Sequence, residues 1–344
     1  MHIVFDLDKI SPPPAARDQS QEERRLRLAI DKAQKSRNPQ HAVTQLVTYA
    51  HNQTLHSISQ NTRMRLLVGL RPANEEDPVS EDVLKARIKL YASLDMGTRF
   101  KDQGRDLGQR ISRRFIAALK GEDLEKSWSG LDEDGRLDVV IGFLHAYGHE
   151  SGFLPPSRVE TKEMRPTANG RIRASYYVPN DDDLVLNSHP SAGWESAVEV
   201  LSSTGHETIH KMQADMSRLL MAEQRPDLLG TEPTDKALFA DDDERLMAWY
   251  FFDNFRYGYI APADNQIGYK HQPVEAHAYL VEAAIKQSLN RHLVLGADQS
   301  LITGVSHDDL TALGIDPDKL RTDSPANDKG SPGRRDQHLP RHGM

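Results

Sequence analysis

The chain has 344 residues, a formal net charge of −8, 38% hydrophobic and 27% charged residues, and no cysteine. That length supports a full core and two domains, or one with extensions. The negative charge argues against a nucleic-acid surface as the main function, and the missing thiols exclude disulfides, cysteine catalysis and every cysteine-ligated metal site.

Residues 1–20 read as a flexible N-terminus. A short strand is expected at His2 to Leu7, and Pro12-Pro13-Pro14 ends any regular element. The segment carries no basic n-region, and Asp6 and Asp8 interrupt its apolar stretch, so no secretory signal peptide is expected. No run approaches the roughly 18 apolar residues that a membrane span requires. The expected compartment is the cytoplasm, or the exterior by export without a signal peptide, as for a secreted effector.

Residues 21–130 form a helical region. QEERRLRLAIDKAQK, HAVTQLVTYAHNQ and SEDVLKARIKLYASLDMG each carry apolar residues at helical spacing, and Ser80 ahead of Glu81-Asp82 is an N-cap. His41, His51 and His56 fall here and read as surface or core-edge residues.

A second domain is expected over 131–300. RLDVVIGFLHAYGHE predicts a helix ending near Gly148. Beyond Pro155-Pro156 the periodicity shifts to alternation, and RVETKEM, RIRASYYV and DLVLN predict three short strands. A long helix follows from about Trp194 through Met221. Residues 226–245 form a polar insertion whose acidic end, Asp241 to Glu244, reads as a solvated loop or helix N-terminus. RLMAWYFFDNFRYGY is aromatic and packed, and QPVEAHAYLVEAAIKQSLNRH predicts a second long helix with Pro273 in its first turn. Residues 301–344 are a C-terminal extension, largely disordered after 321. The expected class is α+β, predominantly helical, with a short sheet.

The chemistry concentrates in His206-Glu207-Thr208-Ile209-His210. Two histidines at i and i+4 share one helix face, so their rings can grip one Zn²⁺ while Glu207 handles a proton beside it. Zinc at a catalytic site takes three protein ligands and leaves a fourth position open. Glu275, near the start of the next long helix, is the leading third ligand, with small Ala276 and Ala278 permitting close packing. His277, Asp264 and His271 remain rivals, and Asp215 lies too far along the motif helix. Glu282, two turns beyond Glu275, shares its face and suits an outer role. Lys211 is charged where such motifs usually carry an uncharged residue. His145 and His149 repeat the i, i+4 spacing, but no carboxylate lies between them and Gly148 weakens their helix; they read as packing or surface residues.

This constellation resembles the zincin metallopeptidases, specifically their Glu-zincin branch, over about residues 131–291. Some bacterial effector proteases delivered into host cells combine a similar H-E-x-x-H helix with a later P-x-E-x-x-A helix, as in Pro273-Val274-Glu275-Ala276-His277-Ala278. The resemblance implies a zincin-like domain in which His206, His210 and Glu275 ligate zinc and Glu207 is the general base. It implies a zinc-dependent endopeptidase acting on a protein or peptide substrate, with Asp183 to Asn187 as the strand edging the cleft. Tyr257, Tyr259, Tyr269, Tyr279 and His271 are the candidates for stabilising the oxyanion. The alternatives are an inactive zincin-like interaction protein and a metal hydrolase with a non-peptide substrate.

Overall fold

The computed structural model describes residues 21–72, 79–94, 97–119, 123–167, 170, 172–224 and 239–295. The strand expected at 2–7, most of the 226–245 insertion and the extension from 301 lie outside them.

The class is α+β and predominantly helical, as expected. Helices α1 (Gln21–Gln34), α2 (Pro39–Tyr49), α3 (Asn52–Ser57), α4 (Gln60–Gly69) and α5 (Glu81–Ser93) are followed by α6 (Gly97–Ala118), α7 (Leu124–Ser129) and α8 (Glu133–Ser151). Strands β1 (Arg158–Lys162), β2 (Ser175–Val178) and β3 (Asp183–Asn187) precede the long helix α9 (Ala197–Gln224). Then come α10 (Asp242–Asp253), a π-helical turn (Asn254–Gly258), α11 (Gln266–His271) and α12 (Pro273–Leu295). None of the described helices is long and apolar enough to cross a membrane.

The described residues fall into two compact units. One takes those of 21–94 and 213–276, the other those of 97–212 and 277–295. The first change of unit falls ahead of α6, and α9 and α12 each contribute residues to both.

In the first unit, Ile30, Val43, Val47, Leu66, Leu67 and Leu90 form a core with no exposed surface. Ser80 caps α5 as expected, accepting from the Val83 amide, and Asn38 and Ser59 cap α2 and α4 in the same way, accepting from the amides of His41 and Thr62. Asp241 caps α10 by accepting from the Glu244 amide, so the acidic run is a helix N-terminus. Trp249 and Phe251 are fully buried, and Asp253 pairs with Arg87 at 2.9 Å and Arg71 at 2.8 Å.

In the second unit, α8 runs past Gly148 and stops at Gly152, whose left-handed φ of 75° lets its amide cap the Gly148 carbonyl at 3.1 Å. The sheet order is β1-β3-β2, with β1 parallel and β2 antiparallel to β3. This corrects one expectation. Asp183 to Asn187 is the central strand, paired on both sides and buried throughout, so it offers no free edge to a peptide. Its unbroken Leu-Val-Leu run is the pattern of a covered strand. The outer positions belong to β1 and β2. Glu125 of α7 sets the start of α9, accepting from Ser196 Oγ and from the amides of Ala197 and Val198 at 2.8–3.1 Å.

Candidate metal centre

Helix α9 carries His206, Glu207 and His210 through its middle, uninterrupted by proline. The helical spacing brings the His206 and His210 Nε2 atoms to 3.2 Å. Two nitrogens bound to one tetrahedral ion at about 2.0–2.1 Å would lie about 3.3 Å apart, so the rings already hold the separation a shared metal requires. His206 Nδ1 lies 2.8 Å from Glu282 Oε2 on α12. An ionised carboxylate only accepts, which places the imidazole proton on Nδ1 and leaves the Nε2 lone pair aimed at the site. The Tyr279 ring packs edge-on against His206, with centroids 4.8 Å apart.

Glu275 stands in the first turn of α12 and is only 1% exposed. The candidate ligand atoms of His206, His210 and Glu275 all lie within 4.8 Å of one another, the one such group among the described residues. Tyr259 Oη donates to Glu275 Oε1 at 3.1 Å, and Gln213 Nε2 donates to the carbonyl of Val274, beside Glu275, at 2.8 Å. Two neutral nitrogens and a carboxylate, with no thiolate, form a donor set that suits a divalent metal ion.

The rival third ligands fall away. Asp264 and His271 are exposed, and Asp215 pairs with Arg218 at 2.8 Å. His277 is buried but stands outside the group; burial, with His210 nearby, pushes its pKa down to about 3. The His145 and His149 pair does not converge on a metal-sized space either, since His149 is exposed and bonds to its neighbour Glu150 at 3.2 Å.

Of the tyrosines considered for the oxyanion, Tyr259 and Tyr279 touch the candidate ligands. Tyr269 packs on Tyr259, with ring centroids 6.4 Å apart, and Tyr257 is buried under the Arg71 guanidinium.

Glu207 is half-buried, and its Oε2 accepts from the Tyr177 amide of β2 at 3.1 Å. Sequence reasoning missed this partner, because a backbone amide leaves no mark in the residue code. Lys211, the charged oddity after the motif, is buried and pairs with Asp182 Oδ1 at 3.2 Å. No protein-family model, curated protein or solved structure matches the chain.

Proposed function

We propose that this chain is a zinc-dependent endopeptidase that hydrolyses a peptide bond of a protein substrate. One observation carries the reading: His206, His210 and Glu275 converge on a metal-sized space, with Glu207 next to His206 on the same helix. The choice of zinc rests on the donor set, since two histidines and a glutamate with a position left open are a ligand set of catalytic zinc. The choice of a peptide substrate rests on the resemblance of this constellation to the zincins.

When bound, zinc lowers the pKa of water toward neutrality and polarises a carbonyl. The chain's own groups supply the remainder. Glu282 fixes the tautomer and orientation of His206. Glu207, oriented by the Tyr177 amide, takes a proton on its carboxylate from the attacking water and returns it to the leaving amine nitrogen. Tyr259, whose hydroxyl meets Glu275, and Tyr279, whose ring meets His206, are the candidates for donating toward a developing oxyanion.

The test pairs metal analysis with a survey of new protein N-termini. Wild-type protein is expected to carry one zinc per chain and to release N-termini that Glu207→Gln does not, while Glu207→Gln keeps its metal. His206→Ala is expected to lose the metal. Wild type without stoichiometric zinc, or cleavage that persists in Glu207→Gln, defeats the proposal. Loss confined to amide or ester model substrates would move the reading to a non-peptide hydrolase.

A further inference from the structure

Ser203, Glu207 and Lys211 stand at i, i+4 and i+8 on α9, one above the other along a single face. Each meets the β2 hairpin. Ser203 Oγ contacts Ser175 Oγ, Glu207 Oε2 accepts from the Tyr177 amide at 3.1 Å, and Lys211 Nζ reaches Asp182 Oδ1 at 3.2 Å. Over the first two contacts the match is geometric: four helical residues rise about 6 Å and two strand residues about 6.8 Å. Successive turns of the helix therefore meet Ser175 and Tyr177, and the next turn meets Asp182 in the turn after β2.

Asp182 locks the far end of this row. It is the one non-glycine residue with positive φ among those described, at 54°. The same Oδ1 that meets Lys211 accepts from Tyr177 Oη at 2.7 Å. Its Oδ2 and its carbonyl take the Ser157 amide at 3.1 and 3.0 Å, anchoring the turn to the start of β1. Tyr177 is thus held at both ends, its hydroxyl on Asp182 and its amide on Glu207. Lys211 is 6% exposed, and a buried ammonium needs a charged partner, which keeps Asp182 against α9.

We propose that Lys211 is a positioning residue: through Asp182 it holds the Tyr177 amide on the Glu207 carboxylate. The inference rests on Glu207 being the proton carrier, but its direct readout does not depend on turnover. That readout is residue-resolved amide hydrogen exchange on the full chain, comparing wild type with Lys211→Met, Asp182→Asn and Lys211→Arg. Asparagine tolerates the left-handed backbone, so Asp182→Asn removes charge without straining the turn. The Tyr177 amide is expected to exchange at least about tenfold faster in Lys211→Met and Asp182→Asn, and to recover in Lys211→Arg, while Leu184 and Leu186 keep their wild-type rates. With a cleaved substrate in hand, kcat falls in the same two variants and KM is kept. Unchanged Tyr177 exchange in both variants overturns the proposal. Equal acceleration at Leu184 and Leu186 also overturns it, because the pair would then serve the sheet alone. A wild type that cleaves nothing removes the endopeptidase reading, and the exchange rates still decide this one.

Discussion

Replacing Glu282 by alanine tests the candidate centre without touching a ligand. The carboxylate lies 2.8 Å from His206 Nδ1, and the side chains of His206 and Glu282 are 9% and 28% exposed. A charge-assisted hydrogen bond contributes about 1.5–3 kcal/mol when well buried. Solvent at Glu282 screens part of that, which puts this bond near the lower end, about 1.5–2 kcal/mol. Without it the His206 ring is free to turn and to take the other tautomer, and the loss falls on metal binding. The expected result is a rise in the zinc Kd of roughly 10–30-fold, within the range typical when a carboxylate behind a ligating histidine is removed. Glu282→Gln, which keeps an acceptor at the same place, is expected to fall between the two. Competition against a chromophoric chelator measures the Kd, and a thermal melt of the metal-free protein checks that the fold is intact. A zinc Kd within twofold of wild type in a folded Glu282→Ala protein would refute the placement of the metal against His206 Nε2.

Gly205→Ala sets helix propensity against packing: alanine gains about 1 kcal/mol in a helix, but its Cβ would sit 2.4 Å from Ile285 Cδ1. Forcing that methyl aside costs about 1–3 kcal/mol, so a lower Tm is expected, and a higher one would show the site to be open. Glu125→Ala strips the start of α9 of its acceptor and is expected to cost about 1–2 kcal/mol in chemical denaturation. Asp253→Asn removes the buried charge that pairs with Arg87 and Arg71 and is expected to cost about 3–5 kcal/mol. The pH dependence of that cost has a definite sign. Burial raises the Asp253 pKa, but Arg87 and Arg71 outweigh it and hold it below the ordinary 3.8. The stabilisation is therefore fully present above 3.8 and is lost as the pH falls through the lower folded value. Denaturant midpoints of wild type and Asp253→Asn are expected to differ by a constant amount from about pH 5 to 8 and to converge below about pH 4. Convergence already near neutrality would contradict the assignment.

Much of the candidate site is legible because its parts are local. The i, i+4 spacing of His206 and His210 needs only a helix, and the apolar positions around it, Val198, Leu201, Ile209 and Met212, supply one with a buried face. The acidic run at α10, the cap at Ser80 and the helix-starting Pro273 are equally short-range, since each acts within the first turn of its own helix. The end of α8 was misplaced because Gly148 and Gly152 look alike in the code; only the latter takes positive φ. Strand order was also out of reach. The Leu-Val-Leu run of β3 marks a covered strand, but its place between β1 and β2 follows from the pairing of β1 with β3, which closes a long connection.

By itself, then, the sequence determined the class, the helical or strand character of its main segments, and a histidine pair able to share a metal, all set by periodicities of 3.6 and 2.0 residues. Tertiary structure alone decided which of four rivals joins that pair, that Glu282 lies behind His206 from 76 residues away, and that the Tyr177 amide holds Glu207 from 30 residues away. Those choices depend on how α9 meets α12 and the sheet. Such contacts are made by packing between distant segments, which no periodicity along the chain records.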